Sequence, residues 1–204
     1  MPDPVSRLER MRATLRREAR ILEALADGLD AGTAEAVDLL LAARGHVLAG
    51  GAGTSNAVAR RMAHLLSCCG LPALFLSPAD SLHGGSGAVR AEDAVVLISK
   101  GGRTHEVNSF ARIVKQRGAK LVAFTEAPET ELGQMADAIV RVKIPEGSDP
   151  FGMVATSSSL ANAAMGDAVC ETVLAELGYT KESFAATHPG GAVGERLRKE
   201  NILR

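Results

Sequence analysis

The sequence predicts an α/β fold in which a parallel sheet of five strands lies between two layers of helices. Five short apolar segments alternate with helical segments, which is the pattern that right-handed β–α–β crossovers produce. Strands in such a sheet are buried on both faces and are therefore apolar over most of their length. The five segments are residues 46–50, 73–76, 94–98, 120–125 and 138–142.

Helical spacing of apolar residues accounts for much of the remaining chain. Residues 5–44 are predicted to form two helices, since Leu8, Met11 and Leu15 begin an apolar stripe among Arg and Glu. A lone domain need not bury that stripe, so we expect the first helix to pack on another subunit. Further helices are expected over residues 57–69, 107–114 and 157–177, with a short last helix after the Pro-Gly-Gly turn at 189–191.

Length and composition set the class of protein. The 204 residues suffice for one compact α/β domain, so we assign residues 1–204 to a single domain with N-terminal helices over 1–44. A net charge of −1 argues against a nucleic-acid-binding surface. The sequence has neither an apolar run approaching the ~20 residues of a membrane span nor the apolar segment of a signal peptide. Three cysteines match no disulfide or metal-ligand spacing. We therefore expect a cytoplasmic protein with no metal and no nucleic-acid or membrane partner.

Three loops with similar chemistry are expected at the carboxyl edge of the sheet, where ligands of open parallel sheets bind. Each is rich in Gly, Ser or Thr and precedes a helix, so N–H groups, hydroxyls and the helix dipole favour a bound phosphate. Singly, each could be a tight connection or a helix cap; together they predict an anionic small-molecule site. The candidate binding residues are Gly53, Thr54, Ser55, Asn56, Ser99, Lys100, Gly101, Gly102, Arg103, Thr104, Thr156, Ser157 and Ser158.

Two nucleotide-binding motifs are absent from the first loop. The third glycine of the dinucleotide fingerprint is missing after Gly51 and Gly53, because Asn56 and Ala57 stand at that spacing. No Gly-Lys-Ser or Gly-Lys-Thr follows either, so the ATP-type phosphate loop is also missing.

These loops, the His-Gly-Gly segment at His83 and the sequence Thr-His-Pro-Gly-Gly-Ala-Val-Gly over residues 187–194 resemble the sugar isomerase (SIS) domain. The similarity covers nearly the whole chain and is greatest to the arabinose-5-phosphate isomerases. It implies a doubly wound three-layer α-β-α fold and a phosphorylated sugar substrate. It also implies aldose–ketose isomerisation through an enediol, without a cofactor, in a homotetramer whose active sites are completed by neighbouring subunits. Relatives often carry CBS modules, which we expect this chain to lack because the sequence ends at Arg204.

Four residues are candidates for proton transfer or substrate orientation. His188 lies in a glycine-rich turn and can move a proton near neutral pH, although a turn histidine can also simply bond to backbone. His83 could orient sugar hydroxyls or be a solvated loop residue. Glu106 is the acid near the second loop, but acids commonly occupy a first helical turn. Glu146 is the better candidate base, one position from where the family has a glutamate, with a plain loop acid as the alternative.

Several positions depart from the isomerase pattern. They are Thr54 for a lysine, Gly101 for a serine, Arg103 for a glutamate and Ser77 for a histidine associated with metal binding. Arg103 and Lys100 could recognise a second anionic group or neutralise an enediolate, or form a solvated pair. Two functions therefore stay open: a phosphosugar isomerase, favoured by the retained His188, and a non-catalytic sugar-phosphate-binding protein, favoured by Thr54 and Arg103.

Overall fold

The fold is a parallel five-stranded sheet with helices on both faces, in a computed structural model that describes residues 4–203. The ends of the predicted domain, residues 1–3 and 204, lie outside the described residues. The strands are β1 (Val47–Gly51), β2 (Ala73–Phe75), β3 (Ala94–Ile98), β4 (Lys120–Thr125) and β5 (Ala138–Arg141). The helices are α1 (Pro4–Asp27), α2 (Ala31–Ala42), α3 (Thr54–Cys68), α4 (Pro78–Ser81), α5 (His105–Gln116), α6 (Glu131–Met135), α7 (Ser157–Glu176), α8 (Lys181–Thr187) and α9 (Gly191–Lys199).

The strand order is β2-β1-β3-β4-β5, and every neighbouring pair is parallel. The register pairs Gly51 of β1 with Ile98 of β3, and Ile98 with Phe124 of β4. The carboxyl ends of the three central strands therefore meet at one edge of the sheet, and the predicted doubly wound class is confirmed.

Side chains of each central strand alternate between two apolar clusters, because successive residues of a strand point to opposite faces. In β3, Ala94, Val96 and Ile98 join α1, α2, α3 and α7, whereas Val95 and Leu97 join α5 and α6 on the other face. Helix α3 thus leaves β1 towards one face and α5 leaves neighbouring β3 towards the other. Such a divergence opens a crevice at the sheet edge.

The C-terminal segment is more helical than the sequence predicts. The sequence predicts one short last helix after the Pro-Gly-Gly turn; α9 is that helix, but α8 also forms before the turn. The Thr180 hydroxyl accepts a hydrogen bond from the Ser183 N–H and caps α8, and Ala185 is buried. None of the helices within residues 4–203 is both long and apolar enough to span a membrane.

Candidate functional site

A cavity of about 200 Å³ lies where α3 and α5 diverge. Its walls come from the loops after β1 and β3 and from the start of α7, so the N-termini of three helices converge on it. Their dipoles and hydroxyl groups favour an anion at this position. The predicted binding residues that line the cavity are Thr54, Ser55, Ser99, Lys100, Gly101, Thr104 and Ser158.

The loop after β1 depends on two glycines. A Cβ atom on Gly51 would lie 2.7 Å from the Ser55 carbonyl oxygen, and Gly53 has a φ of 57°. Glycine is needed at Gly51 because the first turn of α3 packs directly against the end of the strand, and at Gly53 because a positive φ is unfavourable for other residues. Thr54 and Ser55 consequently line the cavity, whereas the Asn56 side chain turns away and accepts a hydrogen bond from Arg60 Nε at 2.9 Å.

Hydrogen bonds from several residues stabilise the loop after β3. Ser99 Oγ and Thr104 Oγ1 lie 3.2 Å apart, within hydrogen-bond distance. The Lys100 carbonyl oxygen accepts a hydrogen bond from Thr125 Oγ1 at 2.9 Å. The buried Asn108 side chain donates to the Gly102 carbonyl oxygen at 3.1 Å. These contacts fix the loop, so its hydroxyls are positioned before a ligand arrives.

A buried carboxylate contacts both the second loop and α7. Lys100 Nζ lies 3.0 Å from Asp149 Oδ2, and the Ser158 N–H donates to Asp149 Oδ1 at 3.0 Å. The Asp149 side chain is only 3% exposed. Burial acts to raise the pKa of Asp149, but hydrogen bonds from Ser158 and the charge of Lys100 outweigh it, so the pKa is lowered. The Asp149 carboxylate thus caps the N-terminus of α7, and Lys100 compensates the negative charge of that carboxylate.

A second cavity, of about 500 Å³, adjoins the first and shares Lys100 and Asp149 with it. The predicted base Glu146 lines this second cavity and is exposed. Glu126 also lines the second cavity. Burial raises the pKa of its carboxyl group, although the positive charge of Lys100 acts to lower it. Sequence reasoning missed Glu126, although it directly follows β4 at the carboxyl edge of the sheet.

Several predicted residues lie outside the first cavity. Arg103, Glu106 and His83 are exposed and do not line it, and the Ser157 hydroxyl donates to the Ser148 carbonyl oxygen instead. Gly53, Gly102 and Thr156 also lie outside the lining. Within residues 4–203, no group of three or more His, Cys, Asp or Glu side chains is arranged to hold a metal ion.

His188 lies at the far end of α3 from the cavity. Its Nε2 is 3.6 Å from Cys68 Sγ, and its ring stacks on Phe184 at a centroid distance of 3.7 Å. The Phe184 carbonyl oxygen lies 3.0 Å from Nδ1 and can only accept, so this hydrogen bond requires a proton on Nδ1. Helix α3 has 15 residues, and at ~1.5 Å per residue its ends are about 20 Å apart. Within one protomer, His188 is therefore remote from the cavity.

Asn162 is a further cavity residue that sequence reasoning missed. It lies one turn after Ser158 in α7, lines the first cavity and is 4% exposed. Its Nδ2 donates to the Ser158 carbonyl oxygen at 2.8 Å, while its Oδ1 is buried with no hydrogen-bond partner among the described residues. The available signal in the sequence was a single amide side chain in a helix rich in alanine.

The fold has counterparts in a known protein family. The SIS domain family matches residues 40–171, which is more than half of the chain. The chain belongs to the SIS domain family. Its curated relatives include the arabinose 5-phosphate isomerase KdsD of Pseudomonas aeruginosa, which is 34% identical over 163 residues. That match covers 80% of this chain and 50% of KdsD, so the chain spans about half the length of the relative.

Two solved structures extend the comparison. A putative sugar-phosphate isomerase from Listeria monocytogenes is 33% identical with a TM-score of 0.89, covering 93% of this SIS chain and all of that one. An Escherichia coli protein, solved in complex with a ligand, is 26% identical with a TM-score of 0.88, covering 92% of this chain and all of that one. The resemblance predicted from sequence is confirmed for family and fold.

Proposed function

We propose that the chain is a sugar-phosphate isomerase whose first cavity seats the phosphate. The observation that carries the proposal is the convergence of three helix N-termini and the side chains of Ser55, Ser99, Thr104 and Lys100 on one cavity. Such an arrangement suits a tetrahedral anion with many acceptor oxygens. The names of its relatives, which are arabinose 5-phosphate isomerases, support the substrate class. The proposal treats residues 1–204 as one SIS domain.

The proposed reaction moves a proton between C1 and C2 of the sugar through an enediol and needs no redox cofactor. A base removes the C2 proton of the aldose, and the proton returns to C1 of the ketose while a hydroxyl proton moves between the two oxygens. Glu146 and Glu126 are the candidate bases, since both line the cavity beside the seat. The raised pKa of Glu126 favours this role, because general acid–base groups work best near the ambient pH. We propose that His188 acts on the cavity of a neighbouring subunit.

Deuterium exchange tests the proposed reaction. The protein is incubated in heavy water with four- to seven-carbon sugar phosphates, and deuterium at C1 and C2 is read by NMR. Isomerisation through an enediol exchanges the transferred proton with solvent, so deuterium is expected in one substrate and in its ketose or aldose partner. Binding of sugar phosphates with no deuterium incorporated in any of them would contradict catalysis.

The phosphate seat itself is tested by melting temperature. Inorganic phosphate binds only the folded protein, and at 100 times Kd it adds about 2.7 kcal/mol to the free energy of unfolding. This corresponds to a rise in Tm of about 5–10 °C for a chain of this size. The Ser99→Ala/Thr104→Ala double variant is expected to lose most of that rise. A control pair outside the cavity, Ser109→Ala/Thr172→Ala, is expected to retain it; an equal rise in all three proteins would place the anion elsewhere.

A non-catalytic sugar-phosphate-binding protein is the second candidate. Among the described residues, Asp149 is the only carboxylate that lines the first cavity, and it is engaged by Lys100 and Ser158. If no base from the second cavity or from a neighbouring subunit reaches the sugar, ligand binds without turnover. Phosphate-dependent stabilisation combined with absent deuterium exchange would favour this candidate.

A further inference from the structure

The side-chain oxygen of Asn162 has no hydrogen-bond partner in the part of the chain that the structure describes. Buried polar atoms in proteins nearly always have a partner, and leaving one unpaired costs stability. Asn162 Oδ1 is buried and has no partner within residues 4–203, although the residue lines the first cavity. Its orientation is fixed, because turning the amide over would place Oδ1 against the Ser158 carbonyl oxygen that Nδ2 now contacts at 2.8 Å. Asn162 thus belongs to the cavity wall and carries an acceptor that no other described residue uses.

The remaining polar groups of the cavity are mainly donors. Lys100 and the hydroxyls of Ser55, Ser99 and Thr104 can all donate to an anion. A phosphate ester at neutral pH or above carries only acceptor oxygens, so it satisfies these donors but cannot pair with Asn162 Oδ1. A ligand that carries an O–H group beside its phosphate would supply the missing donor.

We propose that Asn162 is a specificity-determining residue that accepts a hydrogen bond from a hydroxyl group of a phosphorylated sugar or polyol. The inference rests on the proposed function, because it places a phosphate ester in the same cavity. Sites built to pair with a substrate hydroxyl reject analogues that lack it, since the buried partner is then left unsatisfied. Asn162 thus makes the cavity selective for hydroxylated phosphates over plain alkyl phosphates.

A matched pair of ligands tests this selectivity. Glycerol 3-phosphate and n-propyl phosphate have the same chain length and are both dianions at pH 8, but only the first has hydroxyl groups. Their dissociation constants are measured by calorimetry for the full-length wild-type protein, Asn162→Leu and Asn162→Ala. Asn162→Ala avoids the added volume of leucine in a packed helix. Thr172→Val, on the exposed side of the same helix, is the control.

The wild-type protein and Thr172→Val are expected to prefer glycerol 3-phosphate. One hydrogen bond gives a preference of about fivefold to tenfold. Both Asn162 variants should lose this preference while binding n-propyl phosphate within about twofold of wild type.

An unchanged preference in both variants would overturn the role of Asn162 while leaving the phosphate seat intact. Equal loss of affinity for both ligands would assign Asn162 a structural role and overturn the inference as well. If the wild-type protein binds neither phosphate, the seat itself fails, and the proposed function fails with it.

Discussion

Asp149 places a negative charge in the wall of a cavity that is proposed to receive a phosphate. The charge is tolerated because Lys100 lies 3.0 Å away and the Ser158 N–H donates to the other carboxylate oxygen. The carboxylate also complements the dipole of α7. At the scale of single residues, the electrostatics of the cavity therefore depend on one ion pair between residues 49 positions apart.

Replacing Asp149 by Asn is expected to destabilise the protein by about 1–2 kcal/mol at pH 7, because a charge-assisted hydrogen bond and an ion pair are lost. The pKa of Asp149 is lowered in the folded state, so its contribution is complete above the unfolded value of about 3.9. It is lost as the pH falls through the folded pKa. The difference between wild type and variant in urea unfolding should therefore shrink in acid.

Asp167→Asn is the control for this measurement, because Asp167 pairs with Arg61 at an exposed position. Exposed pairs contribute about 0–1 kcal/mol, so the loss should be smaller than for Asp149→Asn. Equal losses, or a difference for Asp149→Asn that does not change with pH, would contradict the assigned role of the ion pair.

The sequence predicted those site residues that lie in the loops directly after strands. Ser55, Ser99 and Thr104 were found because a Gly, Ser or Thr loop after a buried strand marks the ligand edge of a parallel sheet. Asp149 and Asn162 were not identified as cavity residues, because their roles depend on tertiary contacts. No local pattern records which polar atoms meet in a cavity.

The loop between β3 and α5 is the element that positions most of the cavity's donors. Gly102 has a φ of 61°, and a Cβ atom there would overlap Thr130 Oγ1. Gly101, beside it, has open space at the Cβ position and no positive φ. Only Gly102 therefore needs to be glycine for steric and backbone reasons. Substitutions at the two positions can be compared to test the loop conformation.

Gly102→Ala is expected to destabilise the protein by about 3 kcal/mol, the combined cost of a left-handed backbone and of steric overlap. Gly101→Ala should change the free energy of unfolding by less than about 0.5 kcal/mol, as expected for a substitution without a steric conflict. Both values come from urea unfolding monitored by circular dichroism. Similar losses in the two variants would show that the loop conformation differs from the one described.

Element boundaries followed the sequence closely for the strands and less well for the C-terminal helices. Residues 94–98 and 120–125 were predicted as strands and form β3 and β4, because short apolar runs between turns are typical of strands buried on both faces. Helix α8 was missed, since its stability comes from the Thr180 cap and from packing of Ala185. The position of His188 at the far end of α3 likewise depends on how that segment folds back.

The N-terminal half of α1 carries a stripe of exposed apolar side chains. Val5, Leu8, Met11 and Leu15 are each at least half exposed and lie on one side of the helix, whereas Ile21 and Leu25 are buried in the core. A stripe with this spacing is suited to pack against another helix. The predicted homotetramer, with a second copy of the chain on this stripe, stays a prediction.

Leu15→Glu is expected to lower the molecular mass measured by sedimentation equilibrium at micromolar concentration, because a carboxylate would be buried in the helix contact. Ala13→Glu adds the same charge on the opposite side of α1 and should leave the mass unchanged. A wild-type protein that sediments as a stable monomer would refute the predicted assembly, and equal effects of the two variants would place the contact elsewhere.

The lengths of the strands bear on how copies of this molecule meet. The sheet ends in β2, with three residues, and in β5, with four. An open edge offers unpaired N–H and C=O groups to another chain, and short edge strands offer few of them. Both edges of the sheet therefore disfavour pairing with the sheet of another molecule, which is the contact that builds fibrils. Extended aggregates joined through the edges of the sheet are accordingly not expected in concentrated solutions.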